Sequence, residues 1–196
     1  LKENLEILGF KIFVIPSSLD LAGAYLYGEK IGHCILVNGA NSPKRRLFTL
    51  AHEFGHSILH KDQGSIVDSS KYLFGSKGRL PQREKEANAF AAALLLPEDS
   101  VRDAWTRYVD GYTLKPFHVN VLADLFGVSY SAFLYRLFNL GLIKSWQFGK
   151  LRLPRKDFSH VRVPQFKPQE HLPERYKTLV INAFLSGEIS ISEAAQ

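Results

Sequence analysis

Short apolar runs punctuated by turn residues mark the first forty residues. KIFVIP (11–16), GAYLYG (23–28) and GHCILVN (32–38) are rich in β-branched and aromatic residues and end at Pro, Gly or Asn, so each reads as a strand. The glycine-flanked EKI between the last two reads as a hairpin turn, which predicts a small antiparallel sheet of about three strands. Ahead of them, Leu1, Leu5 and Leu8 share one side of a helical end that stops at Gly9. The period then changes. Leu47, Leu50, Ala51, Phe54, Ile58 and Leu59 recur three and four apart, behind the helix-start signal Asn41-Ser42-Pro43, and predict a helix to about His60.

Residues 61–81 carry Gly64, Gly75, Gly78 and Pro81 among polar positions and read as a long loop, of the kind that walls or covers a site. QREKEANAFAAALLL (82–96) is an alanine-rich helix suited to close packing on another. Pro97, Glu98 and Asp99 end it and open a further helix, SVRDAWTRYV, closing at Gly111. Residues 117–143 have helix-turn-helix grammar. Leu122, Ala123, Leu125 and Phe126 fit a first helix, Gly127 the turn, and Ser129 the cap of a second helix ending near Gly141. SWQFGKLRLP (145–154) suggests a strand, 155–173 a proline-bearing linker, and ERYKTLVINAFLSG (174–187) a helix with another opening after it. Three parts are therefore expected: 1–112, 113–143 and 144–196.

A 45% hydrophobic and 22% charged composition is ordinary for a soluble globular chain, and 196 residues can bury a substantial core. No run approaches the 18 or more apolar residues that a bilayer requires, so no membrane partner is expected. The single cysteine excludes an internal disulfide and fits a cytoplasmic location; Cys34, in the apolar run HCILV, reads as a buried thiol. The chain opens at Leu1 and has no methionine, so it is expected to be part of a longer product. Its net charge of +6 is concentrated in residues 144–167, where seven basic residues face only Asp157. Such a segment suits phosphate or an acidic surface, and equally a solvated face.

The chemistry sits in RRLFTLAHEFGHSILH (45–60), where His52-Glu53-Phe54-Gly55-His56 spells H-E-x-x-H. On a helix, positions i and i+4 stand one above the other, so two imidazoles can take adjacent corners of a tetrahedral Zn²⁺ site. Glu53 is then placed as general base. A catalytic site needs a third protein ligand. The arrangement with a later glycine and third histidine would need Gly at 59 and His at 62, where the chain has Leu59 and Asp62. His60 lies roughly 12 Å along the axis from His52, too far to share one ion with both. That leaves a carboxylate on the alanine-rich helix. Glu84 shares a face with Ala87, Asn88 and Ala91 and is preferred, Glu86 being the alternative. Asn88, one turn on, is placed to hydrogen-bond a ligand histidine from behind. Tyr72 and His60 are candidates to stabilise an oxyanion or support the site, although spacing selects neither.

RRLFTLAHEFGHSILH followed by EKEANAFAAALLLP resembles the signature of the ImmA/IrrE family of zinc metallopeptidases, over residues 11–143. The resemblance implies an α+β fold with a zincin-like helical core, followed by a helix-turn-helix-like segment. It implies His52, His56 and Glu84 as zinc ligands and Glu53 as the catalytic residue. It further implies a protein substrate, a helix-turn-helix repressor whose cleavage relieves repression in a phage, mobile element or stress response. DNA is the lesser partner, since the second helix of the pair shows Tyr130, Ser131, Tyr135 and Asn139 with Arg136 as its one cation.

Overall fold

A computed structural model of the chain describes residues 1–61, 66–68, 80–109 and 114–152, with the single positions Pro173 and Ala183. The fold is α+β. Helix α1 (Lys2–Ile7) precedes strands β1 (Lys11–Ile15), β2 (Gly23–Gly28) and β3 (Gly32–Asn38), where the apolar runs predict strands. Then come α2 (Pro43–Leu59), β4 (Ile66–Asp68), α3 (Gln82–Leu95), α4 (Glu98–Tyr108), α5 (Pro116–Leu125), α6 (Tyr130–Asn139) and α7 (Ser145–Leu151). Among the described residues no single helix is long and apolar enough to cross a membrane.

The sheet is mixed where an antiparallel one was expected. β2 and β3 form the hairpin, but β1 runs parallel to β3, with Ile12 opposite Ile35, and the order is β1-β3-β2-β4. The connection at 16–22 explains this. Asn38, at the end of β3, donates through Nδ2 to Ser17 O at 3.0 Å and Leu21 O at 2.9 Å, and its Oδ1 accepts from Ser17 N at 3.0 Å. The chain leaving β1 is thus carried across the end of β3, and β3 fills the gap between β1 and β2. Apolar runs identify strands, but consecutive strands need not be neighbours. β4 lies in the stretch read as loop; at three residues it is too short to show a period, and it pairs with Gly23–Tyr25 of β2.

Helix α2 separates two cores. One, against the sheet, gathers Leu5, Phe10, Ile12, Tyr25, Ile35, Val37 and Leu50. The other gathers Phe48 and Ala51 with Ala91, Leu96, Val101, Leu122, Phe133 and Leu137 from the later helices. Full burial of such an aliphatic or aromatic side chain stabilises by about 1.5–3 kcal/mol. Because α2 supplies both cores, it is buried over Phe48–Glu53 and again over Gly55–Ser57, polar residues included. α3 packs closely on it. Ala87 and Ala91 are fully buried, and a Cβ at Gly55 would lie 3.0 Å from Phe90 Cδ1, a tight contact that the Phe90 ring would have to yield to.

α5 and α6 meet at 102°, through the turn at Gly127 with φ +66°, and Ser129 Oγ accepts from Ala132 N at 3.2 Å as the helix cap. The strand expected at 145–154 is instead α7 over Ser145–Leu151. Gln147 Oε1 accepts from Lys144 N at 2.9 Å at its start. The Phe148 ring then packs on Tyr135 and Phe138 of α6, with centroids 5.0 and 4.8 Å away. Packing of Phe148 on α6 overrides the local reading of a strand. The linker and helices expected at 155–196 lie outside the described residues, as does the proposed loop residue Tyr72.

Candidate metal centre

Helix α2 carries His52 and His56 one turn apart, and α3 brings Glu84 against them. All three are fully buried, as is Glu53. His52 Nε2 and His56 Nε2 are 3.0 Å apart, and Glu84 Oε2 lies 3.4 Å from the first and 3.7 Å from the second. Ligand atoms on a tetrahedral ion, with bonds of about 2.0–2.2 Å, sit roughly 3.3–3.6 Å apart. The three observed separations bracket that value. Glu84 Oε2 is buried with no hydrogen-bond partner among the described residues, while its other oxygen accepts from Arg83 Nε at 3.0 Å. Two ring nitrogens and one bare carboxylate oxygen therefore aim at a common point, and His52, His56 and Glu84 are the set able to hold a metal ion there.

Electrostatics favour the ionised carboxylate. Burial by itself would push the Glu84 carboxyl up, but the two imidazoles of His52 and His56 beside it outweigh that and hold the group well below the usual carboxylate range.

Both histidines are held from behind. His52 Nδ1 meets Asn88 Oδ1 at 3.1 Å. An amide oxygen only accepts, so Nδ1 carries the proton and Nε2 presents its lone pair to the site. Asn88 thus stands where the face analysis of α3 puts it. Behind His56 is His60, ring nitrogen to ring nitrogen at 3.0 Å, and behind His60 is Glu86, 3.0 Å from its Nε2. Glu86, the alternative ligand, is outside the cluster. Two residues turn a helix by about 200°, so Glu86 lies off the face that Glu84 presents to His52 and His56, and it meets His60 at the edge of the helix pair, 46% exposed. Hydrogen bonds from His60 and Gln82 hold its carboxyl below the ordinary range.

Gly23 is a residue that sequence reasoning passed over as a strand boundary. A Cβ built there would lie 2.5 Å from Glu53 Oε1 and 2.6 Å from Thr49 Cγ2. No side chain fits. β2 closes down on the glutamate of the motif, and glycine is what leaves that carboxylate its place. A glycine at the head of a strand can signal close backbone approach, but nothing in the sequence says what approaches it.

Comparisons with known proteins give the family. The model of the IrrE N-terminal-like domain, a peptidase family, matches residues 7–138. A protein of Deinococcus deserti named radiation response metalloprotease IrrE is 40% identical over 77 residues, which are 39% of this chain and 27% of that protein. A Bacillus subtilis protein named metallopeptidase ImmA is 30% identical over 105 residues, 53% of this chain and 58% of its own length. A Bacillus phage phi105 protein named uncharacterized immunity region protein 2 is 35% identical over 89 residues, 44% of this chain and 53% of its own. The chain spans between about a quarter and three fifths of these relatives.

Proposed function

Because the chain belongs to the IrrE N-terminal-like peptidase family, we propose that it is a zinc-dependent endopeptidase of the cytoplasm, with His52, His56 and Glu84 as metal ligands and Glu53 as general acid–base. The observation that carries this reading is the convergence of two imidazole nitrogens and a carboxylate oxygen on one buried point. Such a donor set suits Zn²⁺, with the fourth position left open as in catalytic sites. Zn²⁺ held there supplies Lewis acidity, polarising a peptide carbonyl and bringing water within reach of deprotonation near neutral pH. Glu53 takes the proton as the water oxygen attacks the carbonyl carbon, then delivers it to the amine as the C–N bond breaks. Asn88 holds the His52 ring with the correct nitrogen inward. Gly23 leaves the Glu53 carboxylate its room.

Two substitutions test the assignment separately. Glu53→Gln is expected to keep one zinc per chain and lose about 10²- to 10⁴-fold in cleavage rate. Glu84→Gln is expected to lose the metal. Undiminished cleavage by the first removes Glu53 from its role, and undiminished zinc in the second removes Glu84 from the ligand set.

The substrate class we assign is a helix-turn-helix transcriptional repressor, cut to relieve repression in a phage, mobile element or stress response. Support comes from the family resemblance and from relatives whose names refer to a radiation response and a phage immunity region. The test is incubation of zinc-loaded protein with the repressor encoded beside it, new termini being mapped by mass spectrometry. Salt-sensitive binding of operator DNA without proteolysis would favour a DNA-binding regulator instead. That alternative has less support. Arg136, the cation of the second helix of the α5–α6 pair, donates through Nε to Leu96 O at 2.9 Å, and phosphate affinity rests mainly on free Lys and Arg.

A further inference from the structure

We propose that His60 and Glu86 form a relay that positions His56 and fixes which of its nitrogens faces the metal. The inference rests on the zinc reading above and concerns residues outside the ligand set. At the solvent end stands Glu86, whose carboxylate oxygen has no proton to give. Glu86 Oε2 lies 3.0 Å from His60 Nε2, so that nitrogen carries hydrogen and donates. A neutral imidazole has one N–H, which leaves His60 Nδ1 as an acceptor. His60 Nδ1 is 3.0 Å from His56 Nδ1, so the His56 nitrogen must be the donor. The remaining nitrogen of His56, Nε2, then has a bare lone pair, and it is the atom 3.0 Å from His52 Nε2 and 3.7 Å from Glu84 Oε2. Each link determines the next, from a half-exposed carboxylate to the buried site.

The geometry holds the relay in place from both helices. His52, His56 and His60 occupy one stripe of α2, and the His60 ring is buried. Glu86 reaches it from α3, steadied by Gln82 Nε2 donating to Glu86 Oε1 at 2.9 Å. The two ligand histidines are therefore supported unequally. Behind His52 stands a neutral amide; behind His56 stand an imidazole and a carboxylate in series. A carboxylate at the end of such a chain makes the ligand nitrogen more electron-rich, and groups of this kind typically account for 10- to 100-fold of metal affinity.

The test is zinc affinity by chelator competition, with the visible spectrum of the Co²⁺-loaded protein as a second readout. Expected for His60→Leu is a loss of about 10- to 100-fold in zinc affinity with a shifted Co²⁺ spectrum. His60→Gln offers an amide oxygen to His56 Nδ1 and should recover most of the loss, which a purely space-filling role would not allow. Glu86→Ala changes a half-exposed side chain and leaves the core intact; it should weaken zinc about tenfold. In the double variant the loss should be no greater than in His60→Leu alone. Affinities and spectra of His60→Leu and Glu86→Ala that match the parent would overturn the relay while Glu84→Gln still loses its zinc. If Glu84→Gln keeps zinc, the metal site itself is wrong and the relay goes with it.

Discussion

The metal centre and the α5–α6 pair were both announced by a pattern of letters, and they differ in what the pattern constrains. At the centre, H-E-x-x-H specifies atoms. A spacing of four on a helix aims two lone pairs at one place, and the structure adds a third from α3. In the helix pair, the apolar run, the glycine turn and the capping serine specify only that two helices meet at a corner, here 102°. Ala123 and Phe133 are fully buried in the core shared with α3 and α4. Their grammar is that of packing. A motif that fixes polar atoms predicts chemistry; one that fixes apolar volume predicts shape.

That contrast can be broken or sharpened by uncoupling stability from metal chemistry. The largest effect is expected at Phe133, where truncation to Ala should cost about 3–5 kcal/mol in denaturant unfolding, with zinc affinity of the folded fraction unchanged. A matching loss of zinc affinity would mean that the helix pair holds the site together. Next comes Gly23→Ala, whose added methyl must displace Glu53 or shift β2. A drop of about 10²-fold in cleavage is expected, one order in rate being about 1.4 kcal/mol. Zinc content should stay at one per chain, because the ligands are not touched. Full activity would show that the Glu53 carboxylate needs no such clearance. Smallest is Ser129→Ala, which removes the side-chain cap of α6. It should lower stability by about 1 kcal/mol and leave both cleavage and metal binding as they were.

How much of this was legible depends on whether the information is local. The strands β1 to β3 and the helices α2, α3 and α4 follow from period and end signals, and the structure has them where those signals point. The partners of β1 were not legible, since Asn38 arranges them by bonding the connection 16–22 across the sheet. α7 was misread because Phe148 answers to Tyr135 and Phe138, residues on another element. Within the site, face arithmetic on α3 preferred Glu84 and left Glu86 open; the structure brings Glu84 against the two histidines and Asn88 behind His52. His60 was named without a position, because its role needs Glu86 on a neighbouring helix. Gly23 was not found at all. Its importance is the absence of atoms beside Glu53, and only the packed structure shows what that space is for.

Helix α2, walled by a core on either side, also acts as a phase reference for the whole molecule. One residue inserted between Ala51 and His52 would rotate everything after it by about 100°. Phe48 and Ala51 would stay with the helical core while Phe54, the ring against the sheet, and His56 swung away from theirs. The connection at 16–22 has no such phase to keep. Lengths of this protein should therefore vary at the strand crossover and stay fixed through the motif helix, whose residue count is as much a part of the metal centre as the identity of its ligands.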